Sequence, residues 1–582
     1  MDNKQIAEIL EEIGTLLELK GENPFKCRAY HNASRVVASL MTDLKQLSER
    51  DELKKIKGIG EGLAEKIVEL IQTGKSVYHE QLKNSLPPGL LDMLRIPGLG
   101  PKRIKVLFDK LNITSIEQLK EAAEKKQLEE LDGFGEKIEE NILRGIELIK
   151  KHADKYLYPT AKEAADRVIN DLKKIKAVIR VEVAGSLRRR KEIIGDIDIL
   201  ASAKKNDTPK IMKSFTTHPD VAEIIAAGET KSSVILNSGI SCDLRVVSEE
   251  EFPFALAYFT GSKEHNVEMR SLSKKFGLSL NEYGFSELGE EEKRGKAKRK
   301  IKCKGESEIY RTLELAYIPP ELRENMSEIE AAAKNKLPKL VDEKDIRGTF
   351  HCHTDYSDGL NTLDEMAKAA MKLGWEYLGI AEHSKSAGYA GGLSVESVKQ
   401  QIKEIDKLNS GYKDFRIFKG IEVDILSDGS LDYDSKTLEM FDFVIAAVHS
   451  KFGMAENDMT KRIIKGMKNR YVTMLAHPTG RLLLEREAYP VNMNEVINAA
   501  SDYGKIIEIN AHPHRLDLDW RLCKFAKGQG IKIAINPDAH NIRGLEYVWY
   551  GVGIARKGWL EKKDILNTLS LKEITKWIDN TK

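Results

Sequence analysis

Two hydrophobic periods divide the chain. Up to about residue 150 the period is helical: Ile6, Ile9, Leu10, Ile13, Leu16 and Leu17 share one face, and residues 63–70 form a second amphipathic turn series. Near residue 180 the period becomes two. Apolar residues at 181, 183, 197 and 199 alternate with others, residues 240–247 repeat the alternation, and a helix at 161–172 leads in. Beyond about residue 346, short strand-like runs alternate with helical segments at 364–373, 394–408, 459–468 and 493–503. This order predicts a multidomain chain: an all-α amino-terminal region, a central α+β unit, and a carboxy-terminal α/β barrel with its site at the strand C-termini. Between the last two, the pair Pro319-Pro320 and a charged, alanine-rich stretch to Pro338 predict a linker in which ordered structure ends.

At 582 residues the chain exceeds one core. Charged residues at 32% and no apolar run of transmembrane length predict a soluble protein with no membrane partner. Five scattered cysteines, never spaced C-x-x-C, predict a reducing cytoplasm and no disulfide scaffold. A net charge of +2 is not that of a strongly basic nucleic-acid binder, so any such binding rests on local patches and backbone amides.

Three turns of one kind punctuate the helical region: Gly58-Ile-Gly60, Gly98-Leu-Gly100 and Gly133-Phe-Gly135, each before an amphipathic helix. Glycine permits the turn and leaves helix-start N–H groups open to an anion. One such corner means little; three look like helix-hairpin-helix motifs, which grip DNA phosphates without reading sequence.

The stretch 183–200 carries the first chemistry. Asp196 and Asp198 lie two apart in a strand, so their carboxylates leave the same face, where a hard cation such as Mg²⁺ relieves their repulsion. Before them, Gly185-Ser186 predicts a turn that admits a phosphate to backbone N–H groups, and Arg188, Arg189 and Arg190 supply cationic forks. Alone, Asp-x-Asp is a solvent-facing hairpin acid; the combination points to phosphoryl or nucleotidyl transfer. Asp243, flanked by apolar residues in the strand 240–247, is the expected third ligand.

At these residues the chain resembles the nucleotidyltransferase superfamily, and its wider context resembles a family X DNA polymerase of the bacterial and archaeal type. The resemblance implies a helical, lyase-like DNA-binding domain at 1–86, helix-hairpin-helix fingers at 87–151, a palm at 152–250, a nucleotide-binding thumb at 251–318 and the linker at 319–345. It implies catalysis by Asp196, Asp198 and Asp243 with Mg²⁺ or Mn²⁺, triphosphate contacts from Gly185, Ser186 and Arg189, and a sugar-side lining of Tyr258 and Phe259. Gly261 would allow close approach, Asn266 would meet the incoming base, and Arg270 and Tyr283 the template side. Lys66 falls at the position of a deoxyribose-phosphate lyase lysine, with Lys26 as an accessory phosphate contact, although Gly62 replaces a basic neighbour. The basic run at 293–300 reads as a solvated hairpin tip.

His351 and His353, two apart on a strand, point the same way as a chelating pair must. Further strand ends then carry His, Asp or Glu, around His383, Glu422, His449, His477, Asp538 and His540. The set resembles the PHP (polymerase and histidinol phosphatase) domain, here a distorted TIM-like metallohydrolase barrel at 346–582. By that resemblance His351, His353, Asp358, His383, Glu422, His449, His477, Asp538 and His540 fill its nine ligand positions. Nitrogen and oxygen ligands in this number suit two or three Mn²⁺ or Zn²⁺ ions. On a polymerase chain the domain implies a 3′→5′ exonuclease or 3′-phosphodiesterase, with cutting at abasic sites known in some members. The expected partners are gapped or primed duplex DNA and dNTPs, for a monomer associated with the nucleoid. The alternative is a PHP phosphoesterase whose front half binds DNA but does not polymerise.

Overall fold

The computed structural model describes residues 1, 3–40, 42–288 and 300–581, so most of the basic run at 293–300 lies outside the described residues. The amino-terminal helices Asn3–Lys20, Pro24–Ser39 and Glu61–Thr73 bury Ile6, Leu10, Ile13, Leu17, Val37 and Ile67 in one core. Helices Pro101–Leu111, Ile116–Glu124 and Glu136–Lys151 gather around a second, with Leu90, Ile104, Leu119 and Ile146.

The three glycine turns repeat one geometry. Gly58, Gly98 and Gly133 have φ of 98°, 81° and 84°, the left-handed region that only glycine enters freely. Gly60, Gly100 and Gly135 then cap the following helices at φ of −77°, −81° and −86°, without a side-chain cap.

The central sheet, among the described residues, has five strands in the order Arg180–Val183, Asp196–Ser202, Ser241–Val247, Lys231–Leu236, Val221–Ala227. Helices Tyr158–Lys173 and Thr208–Thr216 cover one face and share its core. The expected turn at Gly185-Ser186 is instead a four-residue helical turn, Gly185–Arg188, which ends with Arg190 at φ 54°. Helices Phe252–Thr260 and Lys263–Lys275, the hairpin Leu278–Asn281/Gly284–Glu287 and helix Glu306–Thr312 form the next layer.

The segment 319–345 does not end ordered structure as its prolines predict. It contains helix Glu328–Ala333 and two short 3₁₀ turns, Pro320–Leu322 and Glu343–Asp345. Leu322, Ile329 and Ala332 join the core of the preceding layer, together with Trp559 from the carboxy-terminal unit. The physical reason is ionic as well as apolar: Arg323, fully buried, donates to Glu306 Oε1 at 2.5 Å, and Glu306 also receives Arg188 at 2.6 and 2.9 Å. Long-range pairing of this kind leaves no local period to read.

The carboxy-terminal unit, among the described residues, has seven parallel strands in chain order: Gly348–Thr349, Tyr377–His383, Arg416–Asp424, Phe443–Ala447, Met474–Leu475, Ile506–Asn510 and Ile533–Asn536. A parallel bridge between Cys352 and Ala539 brings the last strand back to the first. Helices Leu363–Lys372, Val395–Asn409, Glu456–Met467 and Met493–Asp502 stand between strands close to the positions their periodicity predicts. The strands read as continuous apolar runs because both faces are buried, as parallel strands under helices require.

Candidate active sites

In the central sheet Asp198 pairs in parallel register with Asp243, while Asp196 projects from the same face two residues earlier. Burial first, then Asp196 and Asp243, pushes the Asp198 carboxyl up to about 6. Lys231 Nζ lies 2.6 Å from Asp243 Oδ2 and is the nearest compensating cation. The loop before the strand is pressed against this cluster: a Cβ on Gly185 would fall 2.1 Å from Asp198 Oδ2, and Gly185 has φ 59°. Only glycine lets the backbone approach so closely. Next in the chain, Ser186 Oγ is buried without a hydrogen-bond partner, an orphaned donor. A hydroxyl with no partner and crowded acids fit a divalent ion and a phosphate.

Arg189 differs from its expected setting. It is 8% exposed; its Nε donates to Glu324 Oε1 at 2.9 Å and its Nη1 to the Thr260 carbonyl at 2.8 Å. Glu324 and Thr260 lie too far along the chain for the arginine run to announce them. Tyr258, Asn266 and Arg270 line a cleft closed on the other side by Leu280, Ile309 and Tyr310. Phe259 turns away from it, edge-on to Tyr258 and beneath the Arg245 guanidinium, while the Asn266 amide donates to the Tyr258 carbonyl at 2.7 Å. Gly261 lies against Asn266, whose Oδ1 a Cβ would meet at 2.6 Å.

In the barrel all nine expected residues converge at the strand C-termini. His353, Asp358, His383 and His540 form one group of close ligand atoms; His351, His353 and Asp538 form a second; His383, Glu422 and His449 a third. His477 Nε2 lies 2.9 Å from Glu422 Oε1 and joins through it. His351 Nε2 and both ring nitrogens of His353 are buried without hydrogen-bond partners, as are Glu422 Oε2 and His477 Nδ1. Burial, with His540 and His383 alongside, pushes His353 down to about 3, so it is neutral, the form that ligates a metal. Two of the expected ligands hold left-handed backbone, His477 at φ 24° and Asp538 at φ 52°, strain of the kind kept at functional sites. Orphaned nitrogens packed against carboxylates fit a multinuclear metal centre.

Sequence reasoning assigned no orienting role to the residues that hold this set in place. Glu508, fully buried, accepts from His351 Nδ1 at 2.8 Å and the His477 amide at 2.8 Å. Its contact fixes the His351 proton on Nδ1 and turns Nε2 inward. Asp424 holds His449 Nδ1 at 2.5 Å, and Glu382 receives Thr354 and Gln401. Asn510 reaches Asp538 at 3.0 Å and Arg515 lies 3.6 Å from it. Tyr389, 77% exposed, stands near the His383 ring.

At the amino terminus Lys66 and Lys26 converge on one ring, 4.5 and 5.6 Å from the centroid of Tyr78. Around Gly60, Gly98, Gly100, Gly133 and Gly135 an added Cβ would meet nothing within 4 Å. For Gly60, Gly100 and Gly135, neither internal packing nor φ dictates the residue choice, which leaves an open surface at each helix start.

No helix among the described residues is long and apolar enough to cross a membrane. Five families match in succession: Helix-hairpin-helix domain at residues 1–76, SAM-like Helix-hairpin-helix tandem at 90–147, DNA polymerase beta palm at 160–237, DNA polymerase beta thumb at 255–324 and PHP domain at 349–512. Among curated proteins, the DNA polymerase/3′-5′ exonuclease PolX of Bacillus subtilis (strain 168) is 40% identical over 580 residues, 99% of each chain. A probable phosphatase of Thermoanaerobacter sp. (strain X514) is 32% identical over 207 residues, 33% of this chain and 77% of that protein. One from Caldicellulosiruptor bescii is 30% identical over 199 residues, 33% of this chain and 78% of that protein. With these matches spanning its length, the chain belongs to the family X DNA polymerases that carry a PHP domain.

Proposed function

We propose that this chain fills short gaps in damaged duplex DNA with dNTPs and trims 3′ ends at a separate metal centre in its barrel. The observation that carries the reading is the coexistence of two site architectures, three carboxylates beside an orphaned Ser186 hydroxyl and nine converging barrel residues, six of them buried. Asp196, Asp198 and Asp243 would hold Mg²⁺ or Mn²⁺, and the barrel residues would hold two or three Mn²⁺ or Zn²⁺ ions. When bound, such ions acidify the attacking hydroxyl or water and offset charge on the phosphate.

The protein groups do the positioning. Ser186 donates to the incoming triphosphate from the helical turn that Gly185 presses against Asp198, and Arg189 meets the same phosphates on leaving Glu324. Tyr258 and Arg270 line the nucleotide cleft. In the barrel, neutral His353 offers its lone pairs while Glu508 keeps the His351 ring aimed. Tyr389 offers an exposed ring for stacking a terminal base, which a small phosphate ester would not use. The three glycine turns hold duplex phosphates through helix-start amides. Lys66 is the candidate lyase lysine, and borohydride trapping on a 5′-deoxyribose-phosphate nick decides it: an adduct unaffected by Lys66→Ala would remove the assignment. The chain works as a monomer in the cytoplasm; a dimeric mass in sedimentation would refute that.

The test is a 5′-labelled primer on gapped duplex with Mn²⁺. Lengthening with dNTPs and shortening without them is expected. Shortening alone would favour a phosphoesterase with a DNA-binding front half.

A further inference from the structure

Lys557 is almost completely buried, at 1% exposure, yet neither metal centre uses it. It ends the barrel helix Val548–Lys557 and reaches out of the barrel into the loop beside the three carboxylates. Its Nζ lies 2.5 Å from Glu324 Oε1 and donates to the carbonyls of Arg189 at 3.2 Å and Glu321 at 3.5 Å. It also sits 4.5 Å from the Trp520 ring centroid. Burial lowers its pKa to about 8, which leaves it charged at neutral pH.

Glu324 Oε1 is therefore shared by two buried cations, Lys557 from the barrel and Arg189 from the loop, while Lys191, one-third exposed and 3.9 Å from Oε2, stands beyond hydrogen-bond reach. Their side chains are 0% and 10% exposed, and that of Glu324 is 9%. A lone carboxylate in such a place is strongly unfavourable, so a single partner could not be released. With two partners, one can leave. Arg189 is the one that can be redirected, because it follows Ser186 in the loop against Asp198 and gives up only Glu324 and the Thr260 carbonyl, whereas Lys557 is fixed by two carbonyls besides Glu324. The barrel also forms the floor of this loop. Arg190 turns at φ 54° over Gly553, where a Cβ would come 3.0 Å from the Arg190 side chain.

We infer that Lys557 is a positioning residue for nucleotide binding at the three-carboxylate centre, keeping Glu324 neutralised when Arg189 swings from it to the triphosphate. The inference rests on the reading in which Arg189 meets the triphosphate. It makes the barrel a working part of the synthetic site and gives a distinctive genetic signature. Without Lys557 the Glu324 carboxylate keeps Arg189; without Glu324 the lysine is not needed.

The experiment is steady-state dTTP insertion on a gapped duplex by the full chain, with digestion of single-stranded DNA as the measure of an intact barrel. Lys557→Met should raise the KM for dTTP about ten-fold or more, the effect of losing one partner from a buried carboxylate, while kcat and digestion stay near wild type. Adding Glu324→Gln to Lys557→Met should bring KM back towards wild type, and Glu324→Gln alone should leave KM unchanged or lower. A lysine that merely braces the interface would depress kcat as well and would not be rescued. Arg189→Ala separates the two levels. If it raises KM while Lys557→Met does not, the inference falls and the Arg189 reading stands; if it leaves KM unchanged, both fall. A Lys557→Met protein too unstable to assay moves the decision to Glu324→Gln alone, where a raised KM would overturn the inference.

Discussion

Gly185→Ala is the sharpest small perturbation of the synthetic centre. The new methyl group would sit 2.1 Å from Asp198 Oδ2, where carbon and oxygen in contact keep roughly 3.3 Å apart. The carboxylate, the loop or both must therefore retreat by about 1 Å. The left-handed backbone, φ 59°, adds about 1–2 kcal/mol of strain for any residue with a Cβ. Strain of that size leaves the sheet folded, but a displacement of about 1 Å at a reacting group lowers rate by roughly 100-fold. Single-turnover insertion of one nucleotide into a 5′-labelled gapped duplex is the assay, with 3′ trimming by the same preparation as the folding control. Insertion should fall about 100-fold or more while trimming is retained. Insertion within a few-fold of wild type would refute the argument that Gly185 exists to let the loop reach Asp198.

Other consequences are open to measurement. Glu508→Ala frees the His351 ring and should weaken metal binding at the barrel about 10- to 100-fold, read from the Mn²⁺ dependence of trimming; an unchanged titration would remove its orienting role. Burial would raise the Glu306 carboxyl, but Arg323 and Arg188 override it and hold it at about 2, below its ordinary 4.5. Its contribution, up to about 3 kcal/mol at roughly 1.4 per unit, is thus present above pH about 4.5 and lost as pH falls towards about 2. The stability gap between wild type and Glu306→Gln in urea should shrink below that pH, and a gap constant down to pH 3 would contradict the pairing. Combined Gly60→Ala, Gly100→Ala and Gly135→Ala adds Cβ atoms that meet nothing within 4 Å, so the cost to stability should be only that of poorer helix caps, about 1 kcal/mol each, while the Kd for gapped duplex rises several-fold; unchanged anisotropy binding would argue against backbone capture of phosphate.

Local periods carried most of the architecture. The apolar face of Asn3–Lys20, the alternation through Asp196–Ser202 and the apolar runs ending in His383 or Glu422 are each readable because the neighbours that matter are a few residues away. The glycine turns were legible for the same reason. What stayed hidden depends on distant partners. Arg189 looks like a free phosphate-binding cation until Glu324, 135 residues on, is seen to hold it, and Lys557 meets its carbonyl across 368 residues. Arg323 hides in a proline-rich stretch that reads as a tether until Glu306 is placed beside it. Glu508 sits in an apolar strand, Ile506–Asn510, and nothing local distinguishes an acid aimed at His351 from a buried structural acid.

The central claim is that one chain carries two separate metal centres with different chemistry. A crossed assay of two variants measures it most directly, with insertion and trimming scored on the same labelled gapped duplex. Asp196→Ala should abolish insertion and spare trimming, whereas Glu422→Ala, which removes the carboxylate shared by His383, His449 and His477, should abolish trimming and spare insertion. Loss of both activities from either substitution, in a protein with unchanged circular dichroism, would contradict the two-centre account.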